Sequence, residues 1–217
     1  MSKIIRVLMT VVALLGATGA LAQSTSLETD VLALKQSWAE ANYRISDRAT
    51  RVAAFEALQP RAHTLSEKYP RRAEPLIWEG IVYSSYADAK GGLSALGAAK
   101  TARRLFESAI AIDAKALDGS ALASLGVLYA KVPGFPIGFG DKKKARELLE
   151  KAVAASPDGM DSNYFIGEFL ADNQDVPGGI SHLEKALQAS VRPGQETADQ
   201  GRREQVRALL EKLRAKG

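Results

Sequence analysis

Three glycines in matching surroundings, Gly80, Gly126 and Gly167, constrain the fold of this 217-residue chain more than any other feature. Four residues before them stand Leu76, Leu122 and Asn163, and three residues after them Tyr83, Tyr129 and Leu170. Downstream of each comes a triplet with one spacing, four residues and then three: Ala102-Phe106-Ala109, Ala145-Leu149-Ala152 and Gly179-Leu183-Ala186. Steps of three and four residues keep side chains on one face of a helix. A small residue every turn or two beside a large one lets two antiparallel helices approach closely and interlock. The pattern predicts helix hairpins in series. Aromatic residues make up only 6% of the chain and strand-like alternation is nearly absent, so the expected fold class is all-α.

The spacing also predicts where the hairpins differ. From Gly167 to Gly179 is 12 residues, the step of a hairpin with a short turn. The step from Gly80 to Ala102 is 22 and that from Gly126 to Ala145 is 19, so insertions of ten and seven residues are assigned to the turns. The units are drawn at 73–114, 119–157 and 160–192, with Asp113-Ala114 and Ser156-Pro157 ending two of the second helices. An N-terminal helix pair is expected over 29–70, as Thr29 to Arg44 and Asp47 to Lys68. Asp47 serves as an N-cap, and Tyr69-Pro70 closes the pair because proline cannot extend a helix. Residues 196–216 place Val206, Leu209, Leu210 and Leu213 on one side and charges elsewhere, the pattern of a terminal capping helix with a polar outer face.

Over Ala73 to about Arg192 these residues resemble the tetratricopeptide repeat (TPR), a helix-turn-helix unit of about 34 residues. The resemblance implies an antiparallel helix-hairpin array wound into a right-handed superhelix, with first helices on its concave face. The chain departs from the family pattern in lacking its Trp at all three unit starts and in keeping its closing Pro only as Pro157. A narrower resemblance rests on "GGLSAL" (Gly91 to Leu96), "VPGFPIGFGDKKKAR" (Val132 to Arg146) and "SPDGMDSNYFIGEFL" (Ser156 to Leu170). These stretches are similar to a family of exported bacterial TPR-like proteins related to the T component found beside some TRAP-type transporters. That resemblance implies a compact helical body with an accessory role, binding a partner or an apolar ligand near a solute-uptake system. Known T-component proteins are lipoproteins; this chain has no cysteine, so a lipid anchor does not carry over.

The first residues are expected to lie outside the fold. Lys3 and Arg6 precede an apolar run from Val7 to Leu15, and Ala20-Leu21-Ala22 supplies the small-x-small pattern of a signal-peptidase site. Cleavage after Ala22 would remove 1–22 and leave 23–217 as a single domain, periplasmic or secreted. No second apolar run follows, so membrane insertion is not expected after cleavage. Without disulfides an exported domain must be held by its own core. The pI of 9.2 is no pointer to nucleic acid, because removing Lys3 and Arg6 leaves 27 basic residues against 25 acidic ones.

No catalytic, metal or cofactor site is legible. Gly134, Gly138 and Gly140 precede a lysine-rich helix start, but a phosphate loop would need its second glycine at Phe139 and then a Lys-Ser/Thr pair. Asp141 reads instead as the N-cap of the next helix, where its carboxylate would repel an anion. His63 and His182 have no ligand partners at metal-site spacing, and Asp172 to Asp175 lacks the glycine and closing glutamate of a calcium loop. No serine stands in a nucleophile-elbow motif.

Binding is the remaining expectation, with a protein or peptide partner or a small apolar ligand as its object. Ile77, Ile81, Ser84, Val127, Lys131, Tyr164 and Glu168 fall on first helices and are expected to face the concave groove. In the inserted stretch, Phe135, Ile137 and Phe139 are three large apolar residues whose burial is each worth about 1.5–3 kcal/mol. They must either fold back on their hairpin or be covered by a ligand or partner.

Overall fold

The computed structural model describes residues 26–215, so the expected signal segment 1–22 lies outside the described residues. Among them the chain is helical and carries no strand. The first helix, α1, runs over residues 26–43. It is followed by α2 (Arg48–Lys68), α3 (Ala73–Lys90), a 3-10 turn (Leu93–Ala95) and α4 (Leu96–Asp113). Then come α5 (Ala116–Lys131), α6 (Lys142–Ala155), α7 (Met160–Asp172), α8 (Val176–Gln188) and α9 (Glu196–Arg214). No helix among the described residues is long and apolar enough to cross a membrane.

Hairpins form where the glycine pattern places them. A β-carbon on Gly80 would lie 2.6 Å from the Phe106 ring, one on Gly126 2.8 Å from Leu149, and one on Gly167 2.9 Å from Leu183. Phe106, Leu149 and Leu183 are all fully buried, as are Ala102, Ala109, Ala145, Ala152 and Ala186 around them. Each large side chain thus fills the space the glycine leaves, and α3 packs on α4, α5 on α6 and α7 on α8. Local sequence sets the helix starts. Asp47 accepts from Thr50 N (2.7 Å), Asp141 from Lys143 N and Lys144 N (2.9 and 3.1 Å), and Asp175 from Gly178 N (3.0 Å). Near its start α5 is kinked, with Leu117, Asp118 and Gly119 in succession in the left-handed region, at φ of 48°, 57° and 75°.

The two insertions take different forms. In the first hairpin, α3 continues from Gly80 to Lys90 and α4 begins six residues before Ala102, so most of the additional chain lengthens the helices. Its turn is only Gly91 to Ala95. The expectation of a ten-residue turn insertion is therefore corrected: Leu96-Gly97-Ala98-Ala99 continues the apolar face of α4 and folds as helix. In the second hairpin, α5 ends at Lys131 and α6 begins at Lys142, and the whole insertion is a loop.

The ends of the array meet. Gln36 Nε2 donates to Gly194 O (3.3 Å), Thr197 Oγ1 to Glu40 Oε1 (3.2 Å), and Arg44 Nη2 to Gln200 Oε1 (3.3 Å). Gly201 lies against Tyr43 so closely that a β-carbon there would overlap its ring. On its other side α1 packs on α3, with Trp38 against Trp78 at 5.7 Å and its Nε1 donating to Ser85 Oγ (2.8 Å). Because α3 contacts α5, α5 contacts α7 and α7 contacts α9, the first helices of all units form a closed ring. On the capping helix Val206 and Leu210 are buried against α7 and α8 on the expected apolar side and Glu204, Arg207, Glu211 and Lys212 are exposed, while Gly201 is covered by α1.

Candidate binding surfaces

Ring closure decides what the concave face can offer. Ile77 is fully buried in the core and Tyr164 is nearly so; neither faces an open groove as expected. Ile81 is half-buried and packed between two core clusters, and Ser84 donates to the Ile81 carbonyl of its own helix (3.0 Å). Ile77 is covered by the core it shares with Phe106 and Leu122, and Tyr164 by the cluster it shares with Leu183 and Val206, while α1 covers Trp78, Val82 and Tyr86 of α3 with its Leu27, Val31, Leu34 and Ala41.

At the same inner surface lies a charge cluster the sequence did not reveal. Asp161 of α7 accepts from Arg192 Nη1 and from Arg202 Nε of α9, each at 2.8 Å. Asp199, 2% exposed, accepts from Arg192 Nε (2.7 Å) and from the Arg192 backbone N–H (2.7 Å). The Arg202 guanidinium stacks over Tyr164 and Phe165, 4.4 and 4.7 Å from their centres. Burial alone would raise the Asp161 pKa, but the guanidiniums of Arg202 and Arg192 outweigh it and hold the carboxyl at about 2. Every charge here has a partner, so the cluster clamps α9 to α7.

Three expected residues do come together. Val127, Lys131 and Glu168 line a solvent-open cleft of about 200 Å³ between α5 and α7, with Phe165, Phe169 and Asp172. Lys131 Nζ lies 3.3 Å from Glu168 and 3.4 Å from Asp172, which satisfies it within the protein.

The inserted loop divides its three apolar residues. Phe139 folds back edge-on to Tyr129 (5.5 Å, 83°), with the Arg103 guanidinium 5.1 Å from its ring. Phe135 stands 94% exposed and Ile137 56% exposed. The loop that carries them is closed by its own backbone: Ile137 N and Gly138 N donate to Gly134 O (3.1 Å each), and Gly140 N to Pro133 O (2.9 Å). Asp141 N adds a bond to Tyr129 O (2.9 Å) at the exit. A β-carbon on Gly138 would overlap Pro133 O, and one on Gly140 would overlap Val132 O, so two of the glycines once suggestive of phosphate allow the loop to close on itself. Leu93, 71% exposed, stands at the turn of the neighbouring hairpin.

Neither histidine is a lone surface residue. His63 Nδ1 and Ser66 Oγ meet the buried Glu79 carboxylate (2.9 and 2.6 Å), and His182 Nδ1 pairs with Asn163 Oδ1 (2.9 Å). Both join neighbouring helices, and no group of residues able to hold a metal ion is found among the described residues.

These hairpins are matched in solved structures. A thermophilic TPR protein of Thermus thermophilus superposes with a TM-score of 0.54 at 13% identity, over 82% of this chain and 98% of that one. Yeast Tom70 superposes with a TM-score of 0.50 at 18% identity, over 77% of this chain and 31% of its own. The fold is a TPR-like array. No protein-family model and no curated protein matches the sequence. At such identities the likeness concerns the TPR-like fold and carries no function across.

Proposed function

We propose that this TPR-like array is a non-enzymatic scaffold that engages a protein partner through the tip of its inserted loop. The observation that carries this reading is Phe135, 94% exposed on a loop whose closure is fixed by four backbone hydrogen bonds. An apolar side chain held out on a pre-formed loop loses little conformational entropy when a partner covers it. Ile137 beside it and Leu93 at the next turn extend the apolar edge. The cleft holding Val127, Lys131 and Glu168 adds a mixed polar surface on the inner side. Export to the periplasm belongs to the same proposal, supported by the basic, apolar and small-residue segments of 1–22.

A photo-crosslinking phenylalanine analogue placed at Phe135 tests the proposal in cells of the source organism. A discrete crosslinked species is expected from position 135 and none from the exposed Lys151 on α6. Equal crosslinking from the two positions, or none from either, would refute it.

A second reading, an accessory of a solute-uptake system, is favoured by ring closure. First helices that meet around a covered interior suit a small ligand better than an extended peptide.

A further inference from the structure

The loop that carries Phe135 is bordered by charges that local helix energetics does not explain. Lys142, Lys143 and Lys144 are exposed and fill the first turn of α6, directly after the Asp141 cap. A helix N-terminus carries partial positive charge, so cations in its first turn are unfavourable and carboxylates are favoured there. None of the three lysines makes an ion pair among the described residues that would offset this cost. Lys144 Nζ lies over the Tyr129 ring, 4.5 Å from its centre, and Phe139 packs edge-on to the same ring. The lysines therefore stand at the foot of the loop, and Lys142 also lines the neighbouring α5–α7 cleft.

Little negative charge surrounds them. Asp141 spends its carboxylate on the N–H groups of Lys143 and Lys144, Glu107 is paired with Arg103 (2.8 Å), and Glu150 with Arg146 (3.7 Å). Over 131–147, Asp141 and Glu147 face five basic residues. In the adjacent hairpin, 89–106 hold Lys90, Lys100, Arg103 and Arg104 and no acidic residue, and this stretch includes the turn with exposed Leu93. Acidic residues return at the third turn, where Asp172 meets Lys131 and Asp175 caps α8. Two neighbouring turns thus present exposed apolar side chains in a basic field.

Such a field selects by charge, repelling a basic surface and drawing in an acidic one. We propose that the protein engaged by this loop presents an acidic segment beside an apolar pocket, with Phe135 filling the pocket and carboxylates meeting Lys142, Lys143 and Lys144. The proposal rests on the scaffold reading and adds the chemistry of the partner to it. A lipid surface is bound through a continuous apolar face, whereas here a single aromatic side chain stands clear of a closed loop, the form of an anchor for a pocket.

The test uses the full chain in cells of the source organism, with the photo-crosslinking analogue at position 135. Lys142→Glu, Lys143→Glu and Lys144→Glu together are expected to lower the yield of the crosslinked species at least about tenfold, and the corresponding arginine substitutions to retain it. Glutamates suit the first turn of a helix, so the glutamate variant should unfold no earlier than the parent in a thermal melt. Should it melt earlier, the three glutamine substitutions carry the same test. Mass spectrometry of the crosslinked peptide is expected to find Asp or Glu beside the attached residue of the partner. Undiminished crosslinking in the glutamate variant, or a partner segment without acidic residues, overturns the proposal and leaves the scaffold reading standing. Crosslinking to lipid alone, or no crosslinked species from the parent chain, overturns both.

Discussion

The α3–α4 and α5–α6 hairpins start from one packing rule and use their additional residues in opposite ways. Both lock a glycine of the first helix under a large residue of the second, Gly80 under Phe106 and Gly126 under Leu149. In α3–α4 the added chain is Ala-rich and lengthens both helices, so the insertion enlarges the core. In α5–α6 it holds Pro133, Pro136 and three glycines, which cannot propagate a helix, and it leaves the body as a closed loop. The lock at the hairpin centre is therefore independent of the turn. A turn can be lengthened, or given a binding tip, without cost to the fold.

The first way to break this comparison is to empty the lock. Phe106→Ala and Leu149→Ala each remove a fully buried side chain opposite a glycine that cannot fill the space. Losses of about 3–5 kcal/mol for the first and about 2–5 kcal/mol for the second are expected by denaturant unfolding. If the two hairpins share one lock, both variants should lower the stability of the whole array in a single transition. A loss confined to one hairpin, with the other melting as before, would show that the units are held separately.

How much of this was legible in the sequence follows from the range of each interaction. The hairpins are read within about 30 residues of chain, from a glycine and a four-then-three triplet, and they stand where expected; which triplet residue covers the glycine is shown only by the structure. The Asp47 and Asp141 caps are more local still, and they too are found. Ring closure was not legible. Its contacts join Gln36, Glu40 and Arg44 to Gly194, Thr197 and Gln200, polar residues over 150 positions apart with no periodic signature. One signal was present, Gly201 inside an otherwise strong helix, where a glycine costs about 1 kcal/mol without a packing reason. That reason is Tyr43. Ile77 and Tyr164 are read as groove residues because the pattern identifies first helices but not which of their faces packs on neighbouring helices, Ile77 with Phe106 and Leu122 and Tyr164 with Leu183 and Val206. In the loop, composition showed three apolar residues, and only the backbone path decided that Phe139 turns inward.

A finer division between the hairpins uses one substitution in two places. Gly140→Ala puts a methyl group on Val132 O, where backbone rather than a pliable side chain must yield, and is expected to cost about 1–3 kcal/mol. Gly97→Ala, in the first turn of α4, meets nothing within 4 Å, and alanine's higher helix propensity should stabilise by up to about 1 kcal/mol. Opposite signs, measured as shifts in unfolding midpoint at constant m-value, are the signature of a helix-absorbed insertion beside a looped one. Equal signs would mean that the loop opens at little cost and is not fixed by its hydrogen bonds.

The smallest expected effect is the one that separates packing from binding. Phe135→Ser and Ile137→Ser alter side chains that are already 94% and 56% in water, so little burial is lost in the isolated protein. Each should change stability by less than about 0.5 kcal/mol. Phe139 lies against Tyr129 and Arg103 and continues to anchor the loop in both variants. The Phe135/Ile137 pair of substitutions should therefore leave unfolding unchanged while removing the crosslinked species expected from a second probe placed at Leu93 on the same edge. A large loss of stability would place the two side chains in the fold after all. Unchanged stability with undiminished crosslinking would leave the loop as a solvent-exposed turn, no different in role from the short one between α3 and α4.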